Sequence, residues 1–182
     1  MSNSIFKNLV DINNSKIYLV AEMSGNHQNS IDKAKDFVYK AIESGADIIK
    51  FQVYKPETIT FRSNSKDFKV DKDSNWNKYT NLFELYEKAH TPWDWIRQLT
   101  TILNEKKFPW FASPFDNTAV DFLEKINCPA YKLASPEITD IGLIEYISKT
   151  KKPLILSTGL ASEKDLDLAI NTVLYTSGNT IA

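Results

Sequence analysis

Long apolar runs are missing from this sequence of 182 residues. None approaches the ~18 residues that a membrane span needs. The start, MSNSIFKNLVD, lacks the basic-then-apolar layout of a secretion signal. Cysteine is nearly absent: Cys128 stands alone and cannot form an internal disulfide, which fits a reducing cytoplasm. A charge excess of either sign is also missing. Lys and Arg number 22 against 23 Asp and Glu, a net charge of −1. That balance excludes a broad nucleic-acid-binding surface, though not a local basic pocket for a small anion. Glycine is scarce, five in all, so long flexible Gly/Ser linkers are excluded. Only two histidines occur, His27 and His90, and with one cysteine they make no metal-ligand spacing. No GxGxxG, Walker or GxSxG motif is present, which removes the usual dinucleotide, P-loop and serine-hydrolase signatures.

What is there points to one folded domain. Hydrophobic residues make up 42% and aromatics 12%, enough for a packed core. Five short β-rich runs stand out: IYLVAE (17–22), DIIKFQVY (47–54), PWFASPF (109–115), AYKLAS (130–135) and PLILSTG (153–159). Most are continuously apolar, as strands buried on both faces are. Helical patterns separate them. Asn29 or Ser30 can cap IDKAKDFVYKAIES, with Gly45 at its C-terminal end. Thr91-Pro92-Trp93-Asp94 reads as an N-cap, a proline at the first helical position and a capping-box acid. Asp116 and Asp140 open two more helices, and Ser162 with Asp165 forms a capping box for DLDLAINTVLY. Repeated strand–helix units predict a parallel α/β architecture, either a doubly wound open sheet or a (β/α)₈ barrel.

Two stretches break the rhythm. Residues 55–90, rich in Asn, Ser, Lys and Asp, are too long for a simple connection. They are either a lid or subunit contact, or a surface excursion with a short helix at LFELYEKA. At the end, Thr180-Ile181-Ala182 resembles the first residues of a sixth strand. A full barrel needs about 250 residues.

In parallel α/β folds, binding groups gather at the C-terminal ends of the strands. The polar residues there are Glu22, Ser24, Asn26 and His27; Lys50 and Gln52; Ser113 and Asp116; Lys132, Ser135 and Glu137; and Ser157, Thr158 and Gly159. Lys50 and Lys132 are the sharpest signal, since each lies inside an apolar strand (IIKFQ, AYKLA). Burying a lysine is costly without an anion or a partner. With Ser135, Ser157 and backbone N–H groups after Gly159, the two lysines make a phosphate or carboxylate site. The alternatives are ion pairs with Glu22 or Glu137, or a Schiff-base lysine. Glu22 and Glu137 suit general-base work or binding of sugar hydroxyls. His27 and His90 read as scaffold residues, Cys128 as a small buried hydrophobe and Trp93/Trp95 as packing.

These residues carry a family likeness. AEMSGNH (21–27), GADIIKFQVY (45–54), SPFDNTAVDFLE (113–124), CPAYKLASPEITD (128–140) and KPLILSTGLAS (152–162) resemble the sialic acid synthase family. LFELYEKAHTPWDW (82–95) is most similar to its pseudaminic acid branch. The resemblance implies a cytoplasmic, homodimeric transferase built on a (β/α)₈ TIM-type barrel. Such an enzyme condenses phosphoenolpyruvate with an N-acetylated amino sugar, of the 6-deoxy diacetamido or N-acetylmannosamine type, and releases phosphate. It also implies a divalent metal, Mn²⁺ or Mg²⁺, as Lewis acid on the sugar aldehyde.

By the same resemblance, Glu22 is the catalytic acid at the sugar end. Lys50 and Lys132 are the phosphoenolpyruvate-binding lysines, and Gln52 lies near the sugar. Ser135 and Ser157 bind phosphate or carboxylate, with Phe115 and Glu137 as further substrate-binding residues. The family's metal-binding histidines fall on later strands, so no metal ligand is expected in this chain. The expected organisation is an N-terminal hairpin over 1–16 and a partial barrel over 17–182. That barrel comprises five βα units and the start of a sixth strand, without the family's C-terminal antifreeze-like domain. Such a chain is expected to be inactive alone. The alternatives are an inactive fragment, or another phosphoenolpyruvate or Schiff-base aldolase-like barrel that binds a phosphorylated ligand. No nucleic-acid or membrane partner is expected.

Overall fold

A computed structural model describes residues 5, 6, 8 and 15–177. The elements follow the strand–helix rhythm: β1 (Val20–Glu22), α1 (Ile31–Glu43), β2 (Ile48–Val53), α2 (Pro56–Ile59), α3 (Leu82–Ala89), α4 (Trp93–Glu105) and β3 (Trp110–Pro114). They continue with α5 (Asn117–Lys125), β4 (Tyr131–Leu133), α6 (Ile141–Ser148), β5 (Leu154–Leu156) and α7 (Glu163–Ser177). Short 3₁₀ turns cover Lys66–Phe68 and Ser135–Thr139.

The helix starts follow the capping chemistry. Ser30 accepts from the Lys33 N–H, Asp116 from Thr118 and Ala119, and Asp140 from Leu143. Ser162 and Asp165 cap each other reciprocally. One start differs from the expectation. α4 begins at Trp93 with Pro92 as its N-cap and no side-chain cap, while Thr91 is buried. Glycine scarcity shows at the helix ends. Gly45 takes the left-handed backbone after α1 (φ +86°), but Lys107, Asn127 and Lys151 hold φ values of 54°, 57° and 57° after α4, α5 and α6. Left-handed backbone at a residue with a Cβ costs roughly 1–2 kcal/mol.

All five strands are parallel, and the sheet order is β1-β2-β3-β4-β5. Each unit therefore adds its strand to the same edge. A doubly wound sheet reverses its order at a switch point, so the open doubly wound alternative is ruled out. The packing agrees. Ile49, Phe51, Val53, Trp110, Ala112, Tyr131, Leu133 and Leu154 form one core with Val38, Leu99, Leu123, Ile147 and Val173 of the helices. The helices thus cover one face of the sheet. Fully burying each such aliphatic side chain contributes about 1.5–3 kcal/mol.

The other face is layered along the strands. At the N-terminal strand ends Phe6, Ile48, Phe111 and Ala130 form a second apolar cluster, with Phe6 edge-on to Phe111 at 6.0 Å. Toward the C-terminal ends the same face carries Glu22, Lys50 and Gln52, in register with Phe111 and Ser113 of β3. The hairpin expected over 1–16 lies largely outside the described residues. Ile5, Phe6 and Asn8 within it have helical backbone. The expected start of a sixth strand at 180–182 also lies outside them. No helix among the described residues is long and apolar enough to cross a membrane.

The 55–90 excursion contains α2, the first 3₁₀ turn and α3, the helix expected at LFELYEKA. Asn81 caps α3, and Lys69 bridges Asn81 antiparallel.

Candidate active site

Alternation along each strand decides which side chains face the layered side. In β2 the core takes Ile49, Phe51 and Val53, which leaves Lys50 and Gln52 on the opposite face. In β4 the core takes Tyr131 and Leu133, which leaves Lys132. Glu22 stands beside Lys50 in the β1–β2 register, and their Oε2 and Nζ atoms are 2.6 Å apart. One expected alternative is thus realised: Lys50 pairs with Glu22. Lys132 makes no ion pair among the described residues. Burial, first, and then the nearby Lys50 charge hold its ammonium below the usual lysine range, with Glu22 and Glu137 pulling the other way.

The other predicted residues lie around this centre. Ser24 Oγ donates to Gln52 Oε1 at 3.1 Å, tying the β1–α1 loop to β2. Glu137 sits in the 3₁₀ turn after β4, where burial raises its carboxyl above the ordinary range. Ser135 Oγ accepts from the Leu160 N–H at 2.8 Å, which links the β4 and β5 exits. That N–H was expected among the free donors after Gly159, and here it is occupied by Ser135. Ser157 continues the β4–β5 pairing through its N–H to the Leu133 carbonyl at 3.2 Å. Phe115 is half-buried and edge-on to Tyr54 at 5.5 Å.

Buried polar atoms mark where this face lacks partners. Among the described residues, Glu22 Oε1, Ser113 Oγ and Glu137 Oε2 are buried without a hydrogen bond. Such atoms cost free energy unless a ligand or water meets them. Ser113, only 2% exposed and in register with Gln52, therefore joins the candidate site. Sequence reasoning placed it at a strand end but not among the binding residues, because a lone hydroxyl carries no signal until its register is known.

The scaffold readings hold. His27 is buried, its Nδ1 accepts from the Asn29 N–H at 3.1 Å, and its ring lies edge-on to Trp95. His90 caps α3 beside the carbonyls of Tyr86 and Glu87. Trp93 stacks on Phe122 at 4.6 Å. Cys128 is buried, and burial pushes its thiol up to about 12. Among the described residues no group of three or more His, Cys, Asp or Glu could hold a metal ion. The side chains of this face are two lysines, hydroxyls, an amide and the carboxylates of Glu22 and Glu137, and the lysines with the hydroxyls are the groups that suit an anion.

A singly wound parallel α/β sheet with a polar, lysine-bearing cluster at its strand exits has the layout of a ligand-binding scaffold. The chain belongs to the NeuB family, whose model matches residues 37–182. It is 42% identical over 153 residues to the pseudaminic acid synthase of Helicobacter pylori, covering 84% of this chain and 44% of that protein. It is 30% identical over 169 residues to the N,N'-diacetyllegionaminic acid synthase of Legionella pneumophila, covering 91% and 46%. Among solved structures, the spore coat polysaccharide biosynthesis protein of Bacillus subtilis superposes with a TM-score of 0.69 at 28% identity, over 91% of this chain and 42% of that one. The N-acetylneuraminic acid synthetase of Leptospira borgpetersenii shares the fold, with a TM-score of 0.74 at 23% identity over 92% and 53%. The chain thus spans less than half the length of the curated relatives it matches.

Proposed function

We propose that this chain forms the phosphoenolpyruvate-binding arc of a nonulosonic acid synthase of the pseudaminic acid type, in a (β/α)₈ barrel whose first five strands these are. The observation that carries the reading is Lys132: half-buried, beside Lys50, and, among the described residues, without an ion-pair partner, on the same face as a Ser113 hydroxyl that is likewise unpartnered among them. A doubly charged phosphate with an adjacent carboxylate meets all three needs. The amino-sugar acceptor and the homodimeric state rest on the family alone.

In this reading Lys132, Lys50 and the Ser113, Ser135 and Ser157 hydroxyls hold the two anionic groups of phosphoenolpyruvate. Gln52, fixed by Ser24, faces the N-acetylated sugar. Carbon 3 of phosphoenolpyruvate forms a bond to the aldehyde carbon of the open-chain sugar, and the aldehyde oxygen takes up a proton. Water adds at carbon 2 and gives up a proton. The carbon 2–oxygen bond to phosphate then breaks as the new hydroxyl on carbon 2 passes its proton to the departing phosphate, leaving a 2-keto acid. Glu22 Oε1, buried and unpartnered, serves the proton transfers while Oε2 holds Lys50. The divalent metal that the family resemblance implies would supply Lewis-acid chemistry at the sugar aldehyde; among the described residues no group of three or more His, Cys, Asp or Glu stands ready to hold it.

The test is calorimetric titration of the chain with phosphoenolpyruvate, with glycerol 3-phosphate as the comparison. Saturable binding that favours phosphoenolpyruvate by about tenfold or more is expected. Equal affinity for both, or no binding, would overturn the reading.

A further inference from the structure

We infer that the cavity between the β1–α1 loop and the 55–90 excursion is a second binding site, for an acidic N-acylated sugar. The cavity measures about 440 Å³, within the range of small-ligand pockets. None of Glu22, Lys50, Gln52, Phe115, Lys132, Ser135, Glu137 or Ser157 lines it.

Its floor is aromatic. Trp76 and Tyr79 are stacked with centroids 6.5 Å apart and planes 27° from parallel. Neither belongs to the hydrophobic cores, and Trp76 remains 43% exposed. An exposed indole stacked on a second ring offers a flat face for the C–H side of a sugar ring, with only two side-chain torsions to fix. Asn26, Gln28 and Asn29 also line the cavity, and the Asn26 and Asn29 amides suit hydroxyl and N-acyl groups, while the Gln28 amide oxygen accepts from Lys33 Nζ. Lys78 and Lys88 are its charged lining residues, with Lys78 Nζ 5.0 Å from the Tyr79 ring centre. Among the described residues no acidic side chain lines the cavity, so the two lysines favour an anion there.

The walls are held in place. A Cβ on Gly25 would come within 2.9 Å of the Ala89 carbonyl oxygen, so loop and helix α3 are in close contact. Ser24, Gln28 and Asn29 adopt positive φ, and the buried His27 anchors the loop between them. Behind the same loop, Ser24 contacts Gln52 of the candidate active site. Occupancy of the cavity thus bears on the segment that positions Gln52, an arrangement suited to response to product. An anionic saccharide follows from the cavity's own chemistry. The choice of an N-acylated sugar acid rests on the proposed product class.

The experiment titrates the chain with N-acetylneuraminic acid, using N-acetylmannosamine as the neutral comparison. Trp76→Ala, and Lys78→Ala with Lys88→Ala, are each expected to weaken N-acetylneuraminic acid binding by about tenfold or more. Both leave phosphoenolpyruvate affinity and the unfolding temperature unchanged, since these side chains lie outside the core. Lys132→Ala is expected to leave N-acetylneuraminic acid binding intact. Loss of that binding in Lys132→Ala, or its persistence in Trp76→Ala, would overturn the second site. So would equal affinity for the neutral sugar, or no saturable binding at millimolar concentration. If N-acetylneuraminic acid binds through Trp76 while phosphoenolpyruvate does not bind at all, the second site stands and the synthase reading falls.

Discussion

Lys50 on β2 and Glu22 on β1 stand in register on neighbouring parallel strands, with Nζ and Oε2 2.6 Å apart. The lysine is the more buried partner, at 11% side-chain exposure against 33%. Removing one member of a partly buried pair leaves the other charge uncompensated. Glu22→Gln is expected to destabilise the fold by about 1–3 kcal/mol, or a few degrees in Tm for a chain of this size. It also frees Lys50 toward an incoming anion, so phosphoenolpyruvate affinity is expected to stay level or rise. Thermal unfolding and calorimetry read the two effects separately. Weaker anion binding in this variant would contradict competition between Glu22 and the ligand for Lys50.

Lys132 sets a pH dependence. Burial and the Lys50 charge hold its pKa below the usual 10.5. Between the lowered folded value and 10.5 the unfolded chain binds more protons, so stability rises with pH across that window. Anion affinity runs the other way. It is full below the folded pKa and is lost as pH rises through it, earlier than for an ordinary lysine. Lys132→Gln is expected to remove both slopes. Unchanged slopes in pH-dependent unfolding and titration would show that another group carries them.

Glu137 gives the opposite case. Burial raises its carboxyl above the usual 4.5. Between 4.5 and the folded value the native state binds more protons, so stability falls as pH rises through that window. Glu137→Gln is expected to be at least as stable as the parent at pH 7, with the difference closing below pH 4.5. A variant clearly less stable at pH 7 would show that the carboxylate has a partner that offsets its burial.

Gly25 is held against α3 by space rather than by backbone angle, since a Cβ there would meet the Ala89 carbonyl oxygen at 2.9 Å. Gly25→Ala is expected to cost about 1–3 kcal/mol and to separate the β1–α1 loop from α3. A Tm within a degree of the parent would mean that the loop shifts freely.

Much of this was legible in the sequence, for identifiable reasons. Lys50 and Lys132 stand out because a charge inside an apolar strand violates burial energetics wherever the strand ends up. Strand positions were legible from continuous apolar runs, although β1, β4 and β5 are three residues each, shorter than those runs. The ends of such runs leave the ladder while remaining apolar. Strand order was not legible. Only pairing distinguishes a singly wound sheet from a doubly wound one, and the two share the same strand–helix rhythm. The same gap hid Ser113, whose place in the site depends on its register with Gln52. It also hid the Trp76–Tyr79 stack, which lies in a segment without periodicity.

The most direct measurement is phosphoenolpyruvate affinity in Lys132→Ala against Lys149→Ala. Lys149 forms an exposed i,i+4 pair with Glu145 and lies away from the strand exits. The Lys132 variant is expected to lose affinity by about tenfold or more, while the Lys149 variant matches the parent. Equal affinity in all three proteins would contradict an anion site at the strand exits.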